Sequence, residues 1–233
     1  MKKLGILIFA VALILGIVVT NMFSLGRATG QMFHFNFDWK GVKGSGHVIT
    51  EQREASGFHG VDVGGVYQVD VTAGKDYSVT VEADDNLVPL IRTEVDGGIL
   101  KIQSDRRISP KSNIRVTVTM PNIDSVEVSG VANVTVNGVK GDDLSIDSSG
   151  ASKVAVNGES TKLNVEVSGA THVDAASLQV DEATVAASGA SNVAVSVSRV
   201  LDAHASGASH ISYAGSPSEL RKDTSGAGSV SQR

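Results

Sequence analysis

Leu163-Asn164-Val165-Glu166-Val167-Ser168-Gly169-Ala170-Thr171-His172-Val173-Asp174-Ala175 is the stretch on which the fold turns. Apolar residues alternate with polar ones on both sides of Ser168-Gly169, the period of a half-buried strand. The same mark returns at Ser129-Gly130, Ser149-Gly150, Ser188-Gly189, Ser206-Gly207 and Ser225-Gly226, with steps of 20, 19, 20, 18 and 19 residues. Six residues before the glycine stand Leu144, Leu163, Ala183, Leu201 and Leu220; four before stand Val126, Ile146, Val165, Val185 and Ala203. After it come Val134 and Val136, Val154 and Val156, Val173 and Ala175, Val193 and Val195, Ile211 and Tyr213.

One unit of about 19 residues cannot bury its own apolar face, so copies must stack, about 4.8 Å apart. The pattern predicts an all-β chain: a β-solenoid with two short strands per repeat and inward columns of Val, Leu and Ala. Helices are disfavoured by β-branched residues at period 2 and by a glycine in every repeat. The glycine is expected at a corner, and the serine beside it is expected to bond neighbouring coils. Upstream, Val61–Val71 matches Val126–Val136 position by position. Tyr77–Glu82, Ile99–Gln103 and Ile114–Thr119 also alternate, so the solenoid is expected from about residue 48 to 233 with less regular early coils.

Composition bounds the function. The 233 residues include 25 Gly, no Cys and 4% aromatics, with a net charge of −5. Absence of a basic stripe argues against nucleic acid as a partner. Without cysteine there is no disulfide, thiolate metal site or lipid-modified thiol. Lys2 and Lys3 precede an apolar run from Leu4 to Val19, longer than a usual signal core and near the length of a bilayer span. Residues 1–24 are therefore expected as one N-terminal hydrophobic helix, an uncleaved anchor in preference to a cleaved signal peptide, with the rest exported. Residues 25–47 read as a linker in which Phe33, Phe35, Phe37 and Trp39 alternate as an edge strand covering the open end of the solenoid.

No catalytic, metal or cofactor residue emerges. Six Ser-Gly corners cannot all be nucleophiles, and no His and acid are placed to serve one. Asn133, Lys153, His172, Asn192 and His210 are expected as one outward column. His172 and Asp174 share a face, but His172 and His210 lie two coils apart, about 10 Å, too far to share one ion. Asp84-Asp85 and Asp142-Asp143 read as solvated turn residues. The acidic residues are not expected to stack into a cluster, and no aromatic occurs between Gly130 and Ile211 to make a sugar platform.

The Val-x-Val-Ser-Gly-Ala-x-x-Val-x-Val repeats, with Gly44-Ser45-Gly46, Gly57-Phe58 and the Tyr77–Leu87 stretch, resemble the bacterial head GIN domain family, also labelled autotransporter adhesin or DUF2807. The resemblance covers about Gly44 to Val230. It implies a right-handed parallel β-helix on a bacterial envelope protein and supplies no catalytic residues. The leading expectation is a non-enzymatic cell-envelope protein. It would be membrane-anchored with its domain extracytoplasmic, presenting a rigid surface for adhesion or contact with a protein or glycan ligand. The alternatives are a carbohydrate-active β-helix enzyme and an end-to-end assembling scaffold.

Overall fold

The computed structural model describes residues 41–233; the anticipated N-terminal helix and the aromatic pattern Phe33–Trp39 lie outside the described residues. Among the described residues no helix is long and apolar enough to cross a membrane. They are almost entirely β, with one short 3-10 turn, Val88–Leu90.

The repeat becomes a stack of parallel coils in the register that the Ser-Gly marks define. Val126 pairs with Ile146, Ile146 with Val165, Val165 with Val185 and Val185 with Ala203. Leu144, Leu163, Ala183, Leu201 and Leu220 form a second column. On the opposite face Val134, Val154, Val173, Val193, Ile211 and Val230 form a third. Nearly all of these side chains are buried. Burying each Val or Leu contributes about 1.5–3 kcal/mol, and the narrow core explains why small branched residues replace aromatics.

The two expected strands of each repeat are one continuous strand. Asn133–Ser148, Lys153–Val167, His172–Ala187 and Asn192–Ala205 each bend round the solenoid and are paired in parallel on both sides of the bend. A middle segment supplies a third face, where Val139 pairs with Gly158, Gly158 with Leu178 and Val180 with Val197. Register shifts between Val136 and Val139, Ala155 and Asn157, and Ala175 and Gln179 absorb the unequal repeat lengths.

The early coils are stacked out of sequence order. Gly60–Gly65 lies between Ile99–Ser104 on one side and Ser125–Gly130 on the other, parallel to both. Gln68–Ala73 likewise lies between Arg115–Met120 and the start of Asn133–Ser148. The similarity of Val61–Val71 to Val126–Val136 thus belongs to spatial neighbours, Val61 on Val126 and Val69 on Val134. Beyond this end the pairing turns antiparallel: Ser78–Asp84 joins Arg115–Met120 to Val48–Arg53, and Ile91–Asp96 folds back on Ile99–Ser104.

Candidate functional site: a groove between two side-chain ladders

Each Ser-Gly mark is a corner at which the coils touch through main chain. Gly169 has φ +83°, and a Cβ on it would lie 2.5 Å from the Gly150 carbonyl oxygen. That same oxygen accepts the Ala170 N–H at 2.8 Å, and the pattern repeats up the stack. Only glycine permits both the left-handed turn and this approach. The serines beside the glycines bond neighbouring coils where Ser188 Oγ donates to the Val167 carbonyl and Ser206 Oγ to that of Ala187. The sequence reading missed a second hydroxyl column, two residues past four of the six corner glycines. Ser152, Thr171, Ser191 and Ser209 are all buried there, with Ser209 Oγ donating to the Ala187 carbonyl at 3.0 Å.

The expected outward column is present: Asn133, Lys153, His172, Asn192 and His210 are successive partners on one face. It does not converge into a chemical site. His210 Nδ1 lies 2.8 Å from Ser229 Oγ, and Asp174 accepts the Ala176 N–H in its own turn. Among the described residues no group of three or more His, Asp and Glu is placed to hold a metal ion.

The other face corrects the expectation that acidic residues do not stack. Asp62, Glu127, Asp147 and Glu166 are direct partners on four consecutive coils. Ala186, His204 and Asp223 continue the column upward, and Lys101 closes its foot. Lys101 donates to Asp96, and that bond holds its pKa above the ordinary value, with Asp62 and Glu127 adding to the effect. The signal was available: every rung from Asp62 to Asp223 stands three before a glycine, a position the inward pattern passes over.

Two residues further along each strand, the Ser-Gly serines form a second ladder: Ser129, Ser149, Ser168, Ser188, Ser206 and Ser225. Between the ladders runs a groove of about 560 Å³ with Val128, Ser148, Val167, Ala187 and Ala205 in its lining. From Asp62 to Asp223 it crosses seven coils, about 29 Å at the normal strand spacing. At its upper end His204 Nε2 lies 3.0 Å from Asp202 and its Nδ1 3.6 Å from Asp223. The wall is therefore acidic, the opposite wall hydroxylic, and the floor made of small residues. Such a surface can accept an extended chain through repeated hydrogen bonds and charge.

A second correction concerns Asp84, read as a solvated turn residue. It is fully buried, and its carboxylate accepts N–H groups from Gly46 at 2.9 Å and Lys111 at 2.9 Å. Burial pushes its pKa up, but the main-chain donors of Lys111, Ser112 and Gly46 outweigh burial and leave it lowered. Asn86 accepts the Ser45 N–H and donates to the Lys43 carbonyl. Together they fasten Val42–His47, read above as the end of a linker, to the loop around Lys111.

The fold recurs in solved structures. A putative adhesin from Bacteroides fragilis is 23% identical and superposes with a TM-score of 0.72, covering 83% of this chain and all of that one. A putative adhesin from Parabacteroides merdae is 16% identical with a TM-score of 0.51, covering 83% of this chain and 99% of that one. No curated protein matches the sequence. The profile of DUF2807, described as "Putative auto-transporter adhesin, head GIN domain", matches residues 57–217, which include the corner glycines from Gly65 to Gly207 and the acidic ladder from Asp62 to Glu166, and the chain belongs to that family.

Proposed function

We propose that the protein is a non-enzymatic adhesion module of the bacterial cell envelope, held by its N-terminal apolar segment, whose groove is the contact surface. The observation that carries this reading is the acidic ladder. Unit charges about 5 Å apart repel by on the order of 1 kcal/mol in water, less in salt. Lys101 offsets part of that repulsion at the foot, beside Asp62 and Glu127, but none of Asp62, Glu127, Asp147 and Glu166 makes an ion pair within 4 Å of a Lys or Arg among the described residues. An extended partner carrying amino or guanidino groups would relieve it rung by rung, and the serine ladder would fix the partner's polar edge. The family's adhesin description and the adhesin neighbours support a binding role, and the repetition of weak contacts suits avidity between surfaces.

The test is attachment of cells displaying the full chain to surfaces coated with envelope extract or with polylysine. Replacing Glu127, Asp147 and Glu166 by Gln, Asn and Gln should weaken the attachment both to polylysine and to extract. Replacing the opposite column (Asn133, Lys153, His172, Asn192 and His210) by alanine should leave both intact. Undiminished attachment of a folded groove variant would refute the contact surface. Cleavage of a soluble polysaccharide that Glu166→Gln eliminates would instead establish the enzyme reading.

A further inference from the structure

The groove does not use the opposite kind of charge, which gathers at one corner. Val42–Lys43 and Ile108–Ser109 pair as a two-stranded parallel ribbon apart from the main sheet, Val42 on Ile108 and Lys43 on Ser109. This ribbon and its flanks carry Lys43, Arg106, Arg107 and Lys111, all exposed.

The fold holds the ribbon rigidly. Val42 N–H donates to the Arg107 carbonyl at 2.9 Å and Gly44 N–H to that of Ser109 at 3.0 Å. A Cβ on Gly41 would lie 2.7 Å from the Arg107 carbonyl oxygen, so the strands could not approach with any larger residue there. Asp84 and Asn86 clamp the base, as described above. Of the acids near the ribbon, Asp84 is buried on main-chain N–H groups and Asp105 is paired with Arg92. Asp85 accepts the Ser45 hydroxyl at 2.5 Å, and Lys111 Nζ donates to the Ser45 carbonyl at 3.0 Å.

We infer that this corner is a docking surface for anionic lipid headgroups and orients the solenoid on a membrane. Three observations favour a lipid surface over another occupant. The ribbon is where the chain enters the described domain, and its first residue, Val42, stands 23 residues after Val19, the end of the apolar run that begins at Leu4. Its cations are surface side chains spread over two strands and their flanks, which suits a field of mobile phosphates better than one shaped ligand. Residues 41–233 carry 16 Lys and Arg against 24 Asp and Glu, so the body as a whole is repelled by an anionic membrane. Residues 121–233, with 7 against 13, are repelled most strongly. A cationic corner on an acidic body tips that corner down and points the C-terminal coils, with the upper groove, away from the lipid.

The absence of cysteine makes the test direct. The full chain is placed in nanodiscs, with a fluorophore on Ser109→Cys or, in a second sample, on Ser229→Cys. Quenching by a headgroup-linked acceptor is compared in anionic and zwitterionic discs. In anionic discs the label at 109 should be quenched about threefold more than that at 229. The difference should collapse in about 0.5 M salt. It should also collapse when Lys43, Arg106, Arg107 and Lys111 are changed to Gln, and the salt series decides the matter if that variant does not fold. Equal quenching at both positions, or a preference indifferent to lipid charge, would overturn the inference. Retention of the preference in the folded Gln variant would overturn it equally.

Discussion

Substituting Gly169 tests whether main-chain contact between corners sets the stack. A side chain at φ +83° costs about 1–2 kcal/mol, because the left-handed region brings Cβ against the adjoining carbonyl. The new Cβ would also stand 2.5 Å from the Gly150 oxygen and 3.1 Å from its nitrogen. Those are main-chain atoms of the next coil and cannot swing aside. Relief requires the coils to part, which weakens the Ala170-to-Gly150 hydrogen bond, a further loss of about 0.5–1.5 kcal/mol. Gly169→Ala should therefore destabilise by about 1.5–3.5 kcal/mol, and Gly169→Val by as much as about 4 kcal/mol. Two other glycines separate the terms. Gly57 has φ +75° with nothing within 4 Å of where a methyl group would stand, so Gly57→Ala should cost only the conformational part. Gly141 has open space and no left-handed φ, so Gly141→Ala should stay within about 0.5 kcal/mol. Urea melts followed by far-UV circular dichroism rank the three. Equal losses at Gly57 and Gly169 would show that contact between corners contributes nothing.

Other expectations follow from the same geometry. Leu163→Ala, at an enclosed position between Leu144 and Ala183, should lose about 2–5 kcal/mol in urea melts, whereas Lys153→Ala on the outer column should change stability by less than about 0.5 kcal/mol. Asp147→Asn should stabilise the fold slightly at low salt by relieving Glu127 and Glu166, and the gain should vanish in about 0.5 M salt; a salt-independent change would mean that the ladder does not repel. Because the folded Asp84 carboxyl titrates below its ordinary 3.8, its contribution is present above that value and disappears as pH falls through the lower folded value. The urea midpoint should drop on acidification below about pH 4, and less of that drop should remain in Asp84→Asn.

The sequence made the inward columns legible because burial imposes one chemical type on every rung. Val126, Ile146, Val165, Val185 and Ala203 stand in one column because each lies four residues before a glycine, and the register follows that count. The acidic ladder obeyed the same count but was overlooked, since outward positions carry no hydrophobic signal and Ala186 interrupts the charge. Asp84 was misread for a different reason. Its partners at Gly46 and Lys111 lie 38 and 27 residues away, so nothing local distinguishes it from a turn carboxylate. The continuous bend of the long strands was hidden because the residues of the third face, such as Val139, Gly158 and Leu178, share no common residue type from coil to coil.

The interleaved early coils explain how a repeat whose units are individually unstable acquires a firm end. From about Ser125 onward each coil touches mainly the coils before and after it, so stability there grows by nearest-neighbour increments. The coil Gly60–Ala73 cannot form that way. Its two neighbours come from residues 99–120 and 125–137, and both must be in place before Val61, Val63, Val69 and Val71 are buried on each side. That requirement makes residues 60–137 one cooperative block. The antiparallel strands Val48–Arg53 and Ile91–Asp96 close the same block, giving it edges that do not continue the parallel stack. Asp84 bonds this block to the basic ribbon, and Asp62 and Glu127 begin the acidic ladder on it. The least repetitive part of the chain is thus the part that fixes the relative position of both charged surfaces, while the regular coils above it lengthen the groove.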